Sequence, residues 1–363
     1  MGGCSRWCSG SSSLISCAVI AIHVTSPVER VLHGPGAARS LLGELETLGA
    51  SRVLLVSSST LATGTGLISD LEETIGSRHI GTISNLRQHT PGHAVTQLAQ
   101  LMRERRCDGV VSIGGGSVID GCKAALHEAG AVQAVHLALP TTLSGAEFTV
   151  SAGVTDDQTR QKRSVVDRAT APRVVILDPG LTLATPERLW LGSGIRAVDH
   201  AVETVMSPVQ DSLSTHLALE ALRRLRTALP RCRRDPEDVG ARDDAQVGAW
   251  WAALGLAAVP MGPSHFLGKL LGAPFGIPHG ITSCALLPAV IREIAYTDPD
   301  RVAALAPAFE VGGPQDVPEG CRQLIADLGL PTSLSQAGLG VADLPSYLAT
   351  VPVEWREVVR AAY

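Results

Sequence analysis

Basic and imidazole side chains recur at helical spacing in the second half of the chain. His265 and Lys269 lie four residues apart in a segment that can be helical, so their side chains would share one face. His279 follows a proline, where a new helix can begin, and Arg196 and His200 form another pair at the same spacing. Neutral imidazole is a good ligand for Zn and Fe, so three histidines on converging helices predict a metal site or a catalytic cleft.

A glycine-rich turn in the first half of the chain predicts a phosphate site. The apolar run Gly109–Ile113 is a predicted strand, and Gly114, Gly115, Gly116 and Ser117 separate it from a predicted helix. Glycines there let backbone N–H groups approach a pyrophosphate, and the N-terminus of the helix adds partial positive charge. The turn lacks the GxGxxG fingerprint, but ligands bind at the carboxyl ends of strands in open sheets, so we expect a dinucleotide here.

Small hydroxyl residues follow two other predicted strands, Val53–Val56 and Val135–Leu139. Hydroxyl groups in such loops can bind a nicotinamide carboxamide or phosphates. No Asp or Glu ends the first of these strands to bind ribose hydroxyls, so the choice between NADH and NADPH stays open. The candidate cofactor contacts in these loops are Ser58, Thr141, Thr142 and Ser144.

The elements that must position these residues change character along the chain. Strands and helices alternate over residues 25–180, which predicts a doubly wound parallel sheet, and residues 181–363 are predicted to form an all-helical domain. We expect residues 1–24 to be a disordered extension. The predicted strands are Val53–Val56, Ile80–Ile83, Gly109–Ile113 and Val135–Leu139, and the segment Val174–Pro179 closes this half. The later predicted helices are Gly194–Met206, Ser212–Ala228, Asp243–Ala257, Ser283–Glu293, Asp300–Ala308 and Val317–Leu328.

Composition excludes several classes of protein. The chain has 363 residues, a formal net charge of −5 and interspersed basic and acidic residues, so nothing indicates a nucleic-acid or membrane surface. No stretch reaches the length of a transmembrane helix. The eight cysteines include no CxxC pair, which favours reduced thiols in the cytoplasm. The expected partner is therefore a small-molecule substrate.

Five motifs in order resemble the iron-containing alcohol dehydrogenase superfamily, and several details are most similar to its maleylacetate reductase branch. The resemblance covers about residues 25 to 330. It implies a dehydroquinate synthase-like architecture, NAD(H) or NADP(H) as cofactor, catalysis in the cleft between the two domains, and a homodimer. Asp120, in the first motif, joins the expected cofactor contacts. The motifs are Gly-Gly-Gly-Ser-Val-Ile-Asp at 114–120, Pro-Thr-Thr at 140–142, Leu-Asp-Pro at 177–179, Gly-x-x-Ala-x-x-His-Ala-Val-Glu at 194–203 and Pro-His-Gly at 278–280.

One departure from the family pattern makes a metal ion doubtful. Metal-dependent members carry one Asp and three His as ligands; His200, His265 and His279 match the histidines, but Arg196 replaces the Asp. A guanidinium is always charged and cannot ligate a cation, so it would repel a divalent ion. Maleylacetate reductases also lack that Asp and are thought to work without metal. Lys269 stands where the family has a further histidine.

These residues together predict a metal-independent NAD(P)H-dependent reductase that transfers hydride to a keto or enone carboxylate, or to a related carbonyl compound. If Arg196 and Lys269 both face the cleft, they would bind an anionic substrate and stabilise the negative charge that develops on its oxygen. A desolvated Lys269 could also transfer a proton. The expected catalytic residues are therefore Arg196, His200, His265, Lys269 and His279.

Three alternatives stay open at this point. Arg196 can turn to solvent or pair with Asp199 or Glu203. Three histidines and a water can still hold a metal, which would make the protein a metal-dependent alcohol dehydrogenase. The fold can also serve a non-redox cyclase, isomerase or lyase of specialised metabolism.

Overall fold

Six parallel strands form the sheet of the first half of the chain, and two more form an antiparallel hairpin. The structure, a computed structural model, describes residues 23–87, 89–130, 134–159, 161–209 and 211–363. The strands are Arg30–His33 (β1), Val53–Val56 (β2), His79–Ile83 (β3), Gly109–Gly114 (β4), Val135–Pro140 (β5), Ser151–Thr155 (β6), Lys162–Val166 (β7) and Val174–Leu177 (β8). The sheet order is β1-β8-β5-β4-β2-β3, and β6 pairs with β7.

Helices surround the sheet and form nearly all of the regular structure after it. The first five are Leu41–Thr47 (α1), Ser59–Gly64 (α2), Leu67–Ile75 (α3), Gly92–Glu104 (α4) and Gly116–Ala129 (α5). The others are Pro179–Thr182 (α6), Glu187–Val205 (α7), Ser212–Arg234 (α8), Val239–Ala258 (α9), Pro263–Phe275 (α10), His279–Thr297 (α11), Pro299–Ala303 (α12), Ala306–Phe309 (α13), Val317–Asp327 (α14), Leu344–Thr350 (α15) and Arg356–Ala362 (α16).

Both faces of the sheet are buried, which explains why its strands are unbroken apolar runs. On β2, Leu54 and Val56 pack in the core formed with α4 and α5, whereas Val53 and Leu55 pack in the core formed with α1 and α3. The chain order along the sheet reverses between β2 and β4, so their carboxyl ends border the crevice in which open α/β sheets bind ligands.

Helix α7 lies at the centre of the helical half and packs against α8, α9 and α11. Gly280, in the first turn of α11, lies so close to Gly192 of α7 that a Cβ would overlap the Gly192 carbonyl. The two helices therefore approach to backbone contact. This contact fixes the start of α11, and with it His279, beside α7.

The sheet and the helical half meet through a small aromatic and aliphatic core. Phe148, in the segment after β5, stacks on Trp250 of α9 with ring centroids 6.2 Å apart, and Val175 and Leu177 of β8 lie in the same core. This packing holds the loop after β5 between the sheet and the helices that carry the histidines.

The parallel sheet and the helical second half confirm the predicted fold class, and the predicted helix Asp300–Ala308 is wrong. That segment forms two short helices, because Pro307 at the start of α13 has no N–H with which to continue the ladder of α12. The hairpin of β6 and β7 was not predicted. Of the expected disordered extension, residues 1–22 lie outside the described residues. None of the described helices is long and apolar enough to span a membrane.

Lys123 of α5 is a buried ammonium that holds the chain segments after β5. Its Nζ donates hydrogen bonds to the carbonyl oxygens of Ala146 at 2.8 Å and Ser151 at 2.6 Å, and it pairs with Asp120 at 3.0 Å. The residue has no solvent exposure. These contacts connect the loop after β5 and strand β6 to the helix that begins at the glycine turn.

Replacing Lys123 should therefore destabilise the fold. Lys123→Met leaves the carboxylate of Asp120 and two carbonyl oxygens without their donor, and breaking a buried ion pair in this way costs about 3 kcal/mol. Urea denaturation followed by circular dichroism would measure the loss. As a control, Arg322→Met removes an ion pair with Glu319 on the protein surface and should change the denaturation midpoint much less. Equal losses in the two variants would contradict the prediction.

Candidate active site

The glycine-rich turn lies at the carboxyl end of β4, where the strand order reverses. Gly114 has a φ of 150°, which L side chains rarely adopt, and α5 begins at Gly116. A Cβ on Gly115 would lie 3.1 Å from the side chain of Thr142, and one on Gly116 would lie 2.8 Å from Ser144 Oγ. The turn and the loop after β5 thus pack directly against each other at the N-terminus of α5.

The hydroxyl residues expected to contact a cofactor surround this turn. Ser144 Oγ is buried and has no hydrogen-bond partner among the described residues. Ser117 Oγ accepts a hydrogen bond from the N–H of His89 at 3.2 Å, and Thr141 is bound to the turn through its backbone N–H. Ser58 follows β2 and caps the N-terminus of α2. The sheet therefore brings the predicted residues of three separate loops to one edge.

One face of α7 carries four ionisable side chains at helical spacing: Arg196, Asp199, His200 and Glu203. Asp199, His200 and Glu203 are buried, and the Arg196 side chain is only 12% exposed. Buried charges need partners of opposite charge or hydrogen bonds. The starts of α10 and α11 supply these partners.

Asp199 holds Arg196 inside the protein. Arg196 Nη1 lies 3.1 Å from Asp199 Oδ2 and donates to Ser283 Oγ at 2.9 Å. The same carboxylate oxygen accepts from the hydroxyls of Ser264 at 3.0 Å and Ser283 at 2.6 Å. Of the alternatives that the sequence left open, the pairing of Arg196 with Asp199 is the one observed. The arginine side chain stays mostly buried and does not turn to solvent.

Glu203 binds the first turn of α10. Its carboxylate accepts from the backbone N–H groups of Gly262 at 3.0 Å and Ser264 at 2.6 Å, and its Oε2 lies 2.7 Å from Nδ1 of His265. Burial raises the pKa of Glu203 to about 7, although Arg196 and the backbone N–H groups act in the opposite direction. The side chain thus connects α7 to the helix that carries His265.

His200 and His265 lie side by side, with ring centroids 4.8 Å apart. Burial lowers the pKa of His265 to about 3 and lowers the pKa of His200 well below its usual value, and the charge of Arg196 adds to both shifts. Both imidazoles are therefore neutral at neutral pH.

His279, the first residue of α11, meets a lysine that the sequence did not single out. Lys162 of β7 places Nζ 3.0 Å from His279 Nε2, and the two rings of His89 and His279 are 6.0 Å apart. Burial lowers the pKa of Lys162, and the charges of Arg196 and Lys269 add to the shift. The hairpin of β6 and β7 thus brings an amine to the histidines of the helical half.

The two halves of the chain match two family models, the iron-containing alcohol dehydrogenase model over residues 28–179 and the C-terminal model of the Fe-containing alcohol dehydrogenase family over residues 191–354. The chain belongs to the iron-containing alcohol dehydrogenase family. It is 33% identical over 336 residues, 92% of each chain, to maleylacetate reductase from Rhizobium sp. (strain MTP-10005).

Solved structures agree with this family assignment. Maleylacetate reductase from Agrobacterium tumefaciens superposes with a TM-score of 0.85 at 30% identity, covering 95% of this chain and 98% of that chain. Sulfoacetaldehyde reductase from Bifidobacterium kashiwanohense, solved in complex with NAD+, shares the fold with a TM-score of 0.83 at 21% identity, over 91% of this chain and 92% of that chain. As a member of the iron-containing alcohol dehydrogenase family, the protein is an NAD(P)-dependent oxidoreductase of small molecules.

Lys269 lies near these groups but is not desolvated. It lies on α10 one turn after His265, but its side chain is exposed. The desolvation on which its expected proton transfer depended is therefore not met, because water surrounds the ammonium. Lys269 lies close enough to contribute positive charge at Lys162 and His265.

Asp120, expected to contact the cofactor, has structural partners in this family member. Its carboxylate accepts from the N–H of Gly153 at 3.0 Å and pairs with Lys123. Nothing in the sequence predicted that Asp120 and Lys162 lie near each other. In the fold, the negative charge of Asp120 acts to raise the pKa of Lys162, against the effect of burial. Lys162 is the first residue of β7, a strand of mostly polar and exposed residues, so the sequence gave no sign that its side chain reaches the cleft.

Glu147 is a second carboxyl with a raised pKa, in the loop that packs on the glycine turn. It is buried, and its Oε2 has no hydrogen-bond partner within the described part of the chain. Burial raises its pKa from 4.5 to about 7, with Lys123 acting weakly in the opposite direction. The folded protein therefore holds a proton here that the unfolded chain releases at lower pH.

Because of this proton, the free energy of unfolding should decrease as the pH rises. Between about pH 4.5 and pH 7 the folded chain binds more protons at Glu147 than the unfolded chain, so its contribution to stability falls as pH rises and then levels off. Glu147→Gln removes this term. The free energy of unfolding of the wild type minus that of the variant should decrease by about 2 kcal/mol from about pH 5 to about pH 8. The exposed control Glu128→Gln should follow the wild type, and a constant difference for Glu147→Gln would contradict the prediction.

Proposed function

We propose that this protein is a metal-independent NAD(P)H-dependent reductase of a small keto or enone carboxylate, with maleylacetate, named in its relatives, as the first substrate to test. The observation that carries the proposal is the pair of basic side chains among the three histidines. Arg196 stands one turn before His200 on α7, and Lys162 Nζ lies 3.0 Å from His279 Nε2.

The residues of the cleft do not fit a divalent metal ion. A metal among His200, His265 and His279 would lie beside the guanidinium of Arg196 and would compete with Lys162 for His279 Nε2. Each added positive charge in a poorly solvated site is unfavourable for a cation. We therefore propose no catalytic step that uses a metal.

A second group of possible ligands lies behind the histidines. Ligand atoms of Asp199, Glu203 and His265 are all within 4.8 Å of one another, which is the observation that favours a metal-dependent alcohol dehydrogenase. However, Asp199 Oδ2 already accepts from Arg196 and two serine hydroxyls, and the Glu203 carboxylate accepts from backbone N–H groups and lies against the His265 ring. A metal held by Glu203 Oε2 and His265 Nδ1 would have to displace their mutual contact, whereas Asp199 Oδ1 has no partner among the described residues. No feature of the described residues favours the non-redox alternative.

The glycine turn fits the pyrophosphate of a dinucleotide. The N-terminus of the 14-residue helix α5 points into the crevice at the reversal of strand order, and Ser144 supplies a buried hydroxyl without a partner among the described residues. Gly115 and Gly116 let the turn pack closely against Thr142 and Ser144 of the loop after β5. NAD(P)H, when bound, supplies the hydride, and the choice between the two forms stays open because Ser58 follows β2 where an acidic residue would select NADH.

The basic side chains of the cleft can bind and protonate an anionic substrate. Arg196 offers a guanidinium to a carboxylate, and Asp199 holds that guanidinium in place. Hydride addition to a carbonyl carbon leaves negative charge on oxygen, and hydride addition to an enone leaves an enolate. Lys162 can supply the proton that either product needs, because burial and the neighbouring positive charges make its ammonium more acidic.

The proposed activity and its independence from metal can be tested together. The purified protein should oxidise NADH or NADPH when maleylacetate is added, as followed by the absorbance of the reduced nicotinamide. Prolonged treatment with a chelator should leave the rate unchanged, and elemental analysis should find far less than one equivalent of Zn or Fe. Activity lost to the chelator and restored by metal would support the metal-dependent alternative. A protein that reduces only uncharged aldehydes would contradict the proposed substrate class.

Lys162→Met should lower turnover of the reductase by about a hundredfold, because general acid catalysis typically contributes at least this much. The matched control is Arg163→Met on the same strand, where the neighbouring side chain points to the opposite face and is exposed. Steady-state kinetics with maleylacetate would compare the two. We expect Lys269→Met to have a smaller effect than Lys162→Met, because Lys269 is exposed. The reverse order would show that the basic residue of α10, not that of the hairpin, serves the reaction.

A further inference from the structure

We propose that Glu203 is a positioning residue that fixes the tautomer of His265, with the proton on Nδ1 and the lone pair of Nε2 on the cleft side. The inference rests on the proposed function in one respect, that His265 meets the substrate. Glu203 itself lies behind the histidine, on the side of α7, and touches no substrate.

The contacts of Glu203 determine which ring nitrogen carries the proton. Its Oε1 accepts from the N–H of Ser264 at 2.6 Å, and its Oε2 accepts from the N–H of Gly262 at 3.0 Å while lying 2.7 Å from His265 Nδ1. The backbone N–H groups favour the ionised form of Glu203, and above its pKa of about 7 this carboxylate acts as an acceptor toward the imidazole. Nδ1 is therefore the donor, and a neutral ring then has its lone pair on Nε2.

The backbone makes this arrangement rigid. Glu203 binds the N–H groups at the start of the 13-residue helix α10, where the helix dipole favours a negative charge. Gly262 leaves the space that the carboxylate occupies, because a Cβ there would lie 2.7 Å from Glu203 Oε1. The same side chain thus sets the position of α10 and the orientation of the ring that α10 carries.

Neighbouring groups prevent the ring of His265 from turning over. The ring of His200 lies tilted beside it, with ring centroids 4.8 Å apart, and His265 is only 5% exposed. The hydrogen bonds of His265 to the described residues are made by its backbone N–H and by Nδ1, which leaves Nε2 for a ligand. The orientation would make His265 an acceptor for a substrate or product hydroxyl, while Arg196 and Lys162 act as donors.

The direct test is the nitrogen spectrum of His265 in the full-length protein. Histidine labelled with ¹⁵N, with the His265 signals assigned by comparison with His265→Asn, should show a protonated Nδ1 and an unprotonated Nε2 at a pH above the pKa of Glu203. In Glu203→Gln, the amide NH2 can donate to Nδ1, so the spectrum should change to a protonated Nε2. Wild-type spectra with the proton on Nε2 would overturn the proposal, and this readout needs no active substrate.

The kinetic test separates positioning from general stability. Glu203→Gln should lower kcat for maleylacetate reduction by about ten- to a hundredfold, because losing the partner that orients an active-site histidine has effects of this size. The Kd of the nicotinamide dinucleotide should stay unchanged. Glu203→Asp, which keeps an acceptor, should recover part of kcat. The control is Asp178→Asn, a buried carboxyl that caps α6 and accepts from Gly180 at 3.0 Å, which should keep kcat even if it lowers thermal stability. Unchanged kcat in Glu203→Gln would overturn the proposal.

The two hypotheses fail in different ways. A wild type that does not reduce maleylacetate contradicts the proposed function, and the kinetic comparison is then made with the carbonyl substrate that it does reduce. A wild type that is active, with His265 in the wrong tautomer, contradicts only the role of Glu203. If Glu203→Gln does not fold, the wild-type spectrum and Glu203→Asp still decide the question.

Discussion

Two carboxylates buried on α7 determine how the helices around the cleft are arranged. An ionised carboxylate without partners inside a protein costs several kcal/mol, so each must be surrounded by donors. Asp199 is surrounded by Arg196, Ser264 and Ser283, and Glu203 by the first backbone N–H groups of α10. The starts of α10 and α11 are thereby held against one face of α7. The three histidines lie close to one another because of this arrangement.

The same network underlies the proposal that the cleft binds an anion and works without a metal. Arg196 brings a positive charge to the position at which the family resemblance places an acidic ligand, and Asp199 keeps this charge inside the protein. Lys162 adds a second basic group at His279. Neutral imidazoles, whose pKa values are lowered by burial and by these charges, complete the surroundings. A pocket of this kind favours an anion over a cation, which is why a carboxylate substrate is the natural proposal.

Lys162 and Lys269 show how far spacing along a helix can mislead. Lys269 follows His265 by one turn, and the sequence therefore suggested that both face the cleft. Lys269 is nevertheless exposed, whereas His265 is buried against Glu203 and His200 of α7. Lys162 comes from a strand whose neighbours are exposed and reaches the cleft only because the hairpin of β6 and β7 lies beside α5. No local pattern distinguishes such a lysine from a surface residue.

Sequence patterns alone predict the parallel sheet, the helical second half, the glycine turn and the histidines as candidate site residues. Each of these follows from apolar periodicity, from the need for small residues at a turn, or from motifs in a fixed order. The packing of the folded chain was needed to see that Arg196 pairs with Asp199, that Glu203 binds α10 and His265, and that Lys162 is the buried amine beside His279. These are contacts between residues distant in sequence. Their geometry and burial depend on how helices and hairpin pack, and no local pattern in the sequence records that packing.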